Sequence, residues 1–199
     1  MKLLDNSTHP ILKGVLLTLI LTTVYLIVAI PFKVMEVIPG FTDIRPVMLL
    51  QPIFGVFFGI PGCFASAIGN LICDAVSDSL RWSCIGGFIA NFIGPLFFYI
   101  WVRSAKDEFS LGTAKNLLLF CAVVFVGAIA QAAIITPMIT LLYPDIDFFL
   151  FTLLVMINNT FFPVFLGIPI IILMQEELGF KPLGNKKGKL NGDSMKSEN

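Results

Sequence analysis

Four apolar runs decide what this chain can become. Residues 14–32, 85–102, 116–142 and 149–174 approach or exceed the roughly 20 apolar residues that carry a helix across a bilayer core. Backbone amides find no water in lipid, so runs of this length are read as helices. The two longest must tilt or kink, and Pro137, Pro163 and Pro169 supply the kink points. The chain is 57% hydrophobic and 13% charged, about half the charged share usual in a soluble domain. Its mean hydropathy is +0.91. With 13 basic and 13 acidic residues it offers no basic surface for nucleic acid. The run 14–32 has no small-residue cleavage site after it, so it is expected to stay as a helix.

The stretch 46–76 holds two apolar runs of about fifteen residues on either side of Pro61-Gly62. Each is short for a span. They read as two short spans with a tight turn, or as one re-entrant hairpin held inside protein. Two spans give an all-α polytopic bundle of about six transmembrane helices over residues 1–180. An even number of crossings puts both termini on one side. That side then carries Lys2, Lys13, Arg103, Lys106, Lys115 and the lysines after Phe180, against Lys33, Arg45 and Arg81 on the other. The positive-inside rule therefore predicts cytoplasmic termini. Residues 181–199, rich in Gly, Lys and Asn, read as a disordered cytoplasmic tail whose lysines suit anionic membrane lipid.

Polar groups within apolar spans are costly, and they face a cavity or one another. Asn70, Asp74 and Asp78 recur every four residues and would share a helical face. At 1.5 Å per residue, Asn70 and Asn91 would each lie about 9 Å inside the outer edge on neighbouring helices. Asn158 and Asn159 lie deeper on the last helix, and Gln131 deeper on the fifth. Arg45, Arg81 and Trp82 come from the outer loops. Arg45, Asn70, Asp74, Arg81, Trp82, Asn91, Asn158 and Asn159 are therefore the candidate substrate-binding set, converging on one outward-facing pocket. Each also has a plainer reading. Asn and Gln bridge helices by hydrogen bonds, contributing about 0.6 kcal/mol each. Trp82 reads equally as a stacking platform or as an interface anchor. Gly55, Gly59, Ala65, Gly69, Gly86, Gly87, Ala90 and Gly94 form small-residue surfaces for close helix packing or for docking.

Catalytic signatures are missing from the sequence. There is no Walker A, H-E-x-x-H or G-x-S-x-G pattern. Gly69, Asp74 and Asp78 echo the end of the CDP-alcohol phosphatidyltransferase motif but lack its D-G-x-x-A-R beginning. Cys63, Cys73, Cys84 and Cys121 form no C-x-x-C pair and read as small core residues. With His9 as the one histidine, no metal site is expected. No enzyme activity and no cofactor are expected either.

The segment FTDIRPVMLLQPIFGVFFGIPGCFASAIGNLICD, residues 41–74, carries a family resemblance. Arg45-Pro46 opening the second helix, the Pro61-Gly62 turn, and Gly69-Asn70 followed by Asp74 in the third resemble substrate-binding S components of energy-coupling factor transporters. The likeness extends over residues 39–103. It implies a multi-pass protein of a prokaryotic plasma membrane that captures a vitamin or other micronutrient at its outer face. It also implies partners: a transmembrane coupling subunit and ATPase subunits. The A-x-x-x-A that the family often carries for docking is missing from residues 14–32, where Thr18 and Thr22 are the nearest small pair. A scaffolding membrane protein and a stand-alone small-molecule carrier remain alternatives.

Overall fold

A computed structural model of the chain describes residues 10–33, 35–38, 41–105 and 109–183. Among these residues there are six helices: α1 (Pro10–Phe32), α2 (Pro46–Phe58), α3 (Ile60–Val76), α4 (Cys84–Ser104), α5 (Ala114–Leu142) and α6 (Phe148–Glu176). α1, α4, α5 and α6 are long and apolar enough to cross a membrane, which is the build of a membrane protein. They match the four apolar runs to within a few residues. A short antiparallel hairpin, β1 (Glu36–Ile38) and β2 (Thr42–Asp43), joins α1 to α2.

Local chemistry explains where these helices start and bend. Thr113 accepts a hydrogen bond from the Asn116 N–H, and Asp147 accepts one from the Leu150 N–H. These are N-caps, which satisfy donors left open in a first helical turn. Pro163 cannot donate to the helical ladder. α6 absorbs it by widening into a π turn over Pro163–Gly167.

α2 is the unusual element. It opens as a 3₁₀ turn over Pro46–Leu49, passes through one α turn, and ends as a π turn over Phe54–Phe58. Val47, Met48, Leu50, Gln51, Phe54 and Val56 are all buried. A helix apolar all round belongs in an interior. Here α1, α3, α4 and the Pro163–Gly167 turn of α6 pack around it. The stretch 46–58 is thus enclosed by protein along its length. Gly59, at φ 59° and ψ −130°, then reverses the chain into α3.

The small residues serve this packing. A Cβ at Gly55 would overlap the Pro95 carbonyl oxygen of α4, one at Gly62 the Phe54 side chain, and one at Gly86 the Met138 sulfur. Ala65, Ala90, Ala128 and Ala132 are buried. These surfaces are covered by the chain's own helices.

The elements alternate between two ends of the bundle. One end collects the close of α1 and α3, the start of α2 and α4, and the α5–α6 connection. The other holds the Gly59 turn, the start of α1 and the residues after α6. There the Thr18 hydroxyl lies 3.5 Å from the Pro61 carbonyl. The Phe180 ring packs edge-on against Phe57 and Phe58 at 5.9 and 6.4 Å. The Leu183 N–H donates to the Val56 carbonyl at 3.1 Å. Pro182 is buried and the Leu183 N–H is held by α2, so residues 181–183, the start of the expected disordered tail, lie against the bundle. Residues 184–199 of that tail lie outside the described residues.

Candidate functional site

At the end of the bundle away from Gly59, the polar side chains of several helices meet around one cavity of about 80 Å³. Arg45, which opens α2, donates from its guanidinium to the Asn70 Oδ1 on α3. The Asn70 Nδ2 donates to the Asp74 Oδ2 at 3.2 Å, one helical turn on. The Lys33 Nζ, just beyond α1, pairs with the Asp74 Oδ1 at 3.0 Å. The Asp74 carboxylate ties the end of α1 to α3, and Asn70 ties the start of α2 to the same face. From the opposite wall the Asn158 Oδ1 of α6 accepts the Arg45 backbone N–H at 3.1 Å.

The walls differ in character. Lys33, Arg45, Asn70, Asp74, Ser77 and Ser79 line the polar side. Ile135 and Ile139 of α5 and Phe151 and Val155 of α6 line the apolar side, and they belong to a small apolar core of their own. Asn158 and Asn159 of α6 also line the cavity. Phe41, from the β1–β2 hairpin, lines the cavity and packs edge-on against Tyr143 at 4.7 Å.

Beneath the cavity a second polar layer continues into the bundle. The Gln51 Nε2 donates to the Gln131 Oε1 at 2.8 Å, and the Gln131 Nε2 donates back to the Gln51 Oε1 at 3.1 Å. The Gln51 Nε2 also lies 3.5 Å from the Asn159 Oδ1, so the layer reaches up to the cavity wall. Gly94 on α4 leaves the space that the Gln51 carboxamide fills.

Five of the eight sequence candidates, Arg45, Asn70, Asp74, Asn158 and Asn159, are brought together here. Three are not. Asn91 is buried, but its Nδ2 donates to the Gly87 carbonyl of its own helix at 2.8 Å. Gly87 is the residue that lies against Asn70, so Asn91 sits one turn, about 6 Å, deeper than Asn70 rather than level with it. Arg81 and Trp82 are exposed and line a separate apolar groove. α3 ends at Val76, and Asp78, at φ 57°, breaks the helical face of Asn70 and Asp74; in the connection that follows, Ser79 and Ser83 line the cavity and Arg81 and Trp82 do not. Lys33 lines the cavity and Gln51 lies beneath it, and neither was among the sequence candidates. A lysine closing an apolar run and a glutamine inside one were the available signals.

The chemistry on offer is recognition by hydrogen bonds: cationic donors from Lys33 and Arg45, a carboxylate, several carboxamides, and an apolar face opposite. Comparison with protein families, with curated proteins and with solved structures finds no match to this chain.

Proposed function

We propose that this protein is a membrane substrate-capture subunit of the energy-coupling factor type. In this reading six helices cross the plasma membrane of a prokaryote, with both termini in the cytoplasm. The cavity then opens at the outer face, where a vitamin or other micronutrient is captured. A transmembrane coupling subunit and ATPase subunits drive delivery, because the sequence carries no nucleotide-binding pattern of its own. The observation that carries the reading is the convergence of Arg45, Asn70, Asp74, Asn158 and Asn159 on one cavity. Buried polar groups this numerous are expensive in an apolar bundle. A substrate that bonds to them gives their retention a purpose.

The volume adds a condition. Small-molecule sites span about 300–1,000 Å³, several times the cavity of about 80 Å³. In this reading, capture of a molecule of that size widens the cavity.

A second reading has its own support. Arg45, Asn70, Asp74 and Lys33 bond to one another, as they would in a scaffold where polar residues act as glue. Mass spectrometry of small molecules released from the purified protein separates the two. A substrate-capture protein releases a bound heterocycle. Asn70→Ala then weakens its binding about tenfold or more, since an unpaired buried group costs about 1–3 kcal/mol. Asn91→Ala affects binding less, because its carboxamide bonds within its own helix. If Asn70→Ala lowers thermal stability alone and any released molecule binds normally, the scaffold reading stands. In liposomes the protein by itself should bind but not accumulate its substrate. Accumulation driven by an ion gradient would make it a stand-alone carrier.

A further inference from the structure

The apolar groove that takes Arg81 and Trp82 lies on the outside of the bundle, where the end of α3 meets the start of α4. It measures about 530 Å³. Leu71, Ile85 and Phe88 line it from the helices, and Leu80, Arg81 and Trp82 from the connection between them. Leu80, Trp82 and Ile85 are 60%, 76% and 51% exposed, an apolar patch open to the surroundings. α4 is long and apolar enough to span a membrane and begins at Cys84. Arg81 and Trp82 therefore stand just outside the hydrocarbon layer, at headgroup depth, where tryptophan is enriched. Phe88 lies four residues into α4, about 6 Å down the helix. The groove thus runs from headgroup level into the acyl region.

Arg81 is held at this depth by rings. Its guanidinium lies 4.4 Å from the Phe41 centroid and 5.6 Å from that of Tyr143. Among the described residues no carboxylate pairs with it. A fixed cation beside an apolar slot complements one kind of molecule: an amphiphile with an anionic head and a hydrocarbon tail. We infer that this groove binds an anionic phospholipid, with the phosphate on Arg81 and one acyl chain along Leu71, Ile85 and Phe88. A zwitterionic lipid brings its own ammonium to the phosphate and gains less from Arg81. Phe41 carries Arg81 and also lines the polar cavity, so the lipid site and the cavity wall share a residue.

The two tryptophans make this measurable. Trp101 packs against Phe109 and Phe120, away from the groove, so Trp101→Phe leaves Trp82 as the single indole reporter. In phosphatidylcholine bilayers, phosphatidylglycerol with brominated acyl chains should quench Trp82 with about fivefold higher relative affinity than equally brominated phosphatidylcholine. That is the preference expected of one basic residue at an anionic surface. Arg81→Gln should make the two lipids equal. Equal quenching in the protein that keeps Arg81, or a preference that survives Arg81→Gln, overturns the site. Native mass spectrometry of the unsubstituted chain gives an independent measure: phosphatidylglycerol retained over phosphatidylcholine supports the site, and equal retention overturns it.

Discussion

Gln51 and Gln131 exchange two hydrogen bonds in the interior, and removing either one takes the donor from the other's Oε1, while the Gln131 Nε2 keeps the Gly127 carbonyl and the Gln51 Nε2 keeps the Asn159 Oδ1. A buried donor or acceptor without a partner costs about 1–3 kcal/mol, whereas replacing both by apolar groups of similar shape is nearly neutral. Gln51→Leu and Gln131→Leu should therefore each lower the thermal midpoint in detergent, and the double variant should lose less than the sum. Strict additivity in that double-mutant cycle would show that the pair is not coupled. At this scale the sequence was readable wherever two residues share a helix. The spacing of Asn70 and Asp74 announced their contact. It was silent where partners are far apart in the chain. Lys33 meets Asp74 across 41 residues, and no local periodicity reports a contact between the end of one helix and the end of another. Arg81 and Trp82 stand outside the cavity although Ser79 and Ser83 of the same connection line it, because helical spacing does not extend past the turn at Asp78.

Gly59 shows what one backbone position does for two elements. Its φ of 59° with ψ of −130° lies where side chains are strained, and a Cβ there would press within 3 Å of Tyr99 and Leu183. Gly59→Ala should destabilise the protein by about 1–3 kcal/mol. Gly14, inside α1, has open space for 4 Å around the point where a methyl group would sit. Gly14→Ala should be neutral or gain up to about 1 kcal/mol of helix propensity. Thermal unfolding of the two variants side by side checks both signs, and a Gly59→Ala protein as stable as its parent would refute the turn. The four long helices were legible from length and hydropathy, while the caps Thr113 and Asp147 that fix two of their starts emerge only in the structure. What the pattern left open, between two short spans and a hairpin held inside protein, is that 46–58 lies inside. A short apolar run has no polar face whether it meets lipid or protein, so hydropathy reads the same in both settings.

Across the whole molecule, the β1–β2 hairpin, the 77–83 connection and the α5–α6 connection share one end, and the Gly59 turn and the residues after α6 share the other. Under the proposed orientation the first end faces outward. With the native cysteines replaced, Asp145→Cys should react with an impermeant thiol reagent on intact cells, and Ser110→Cys only after permeabilisation. The opposite result would invert the orientation, and equal labelling would contradict the two-ended arrangement.

The enclosure of α2 also has a consequence for synthesis. The helix is made early, yet the Pro163–Gly167 turn that packs against it is made about a hundred residues later. At about 5–20 residues per second of translation, that delay is roughly 5–20 s. During this interval the nascent chain holds a short segment, with Gln51 at its centre, that is ill suited to lipid and not yet covered by its partners. Such a chain leans on its insertion machinery in a way that a bundle of uniformly lipid-facing helices does not.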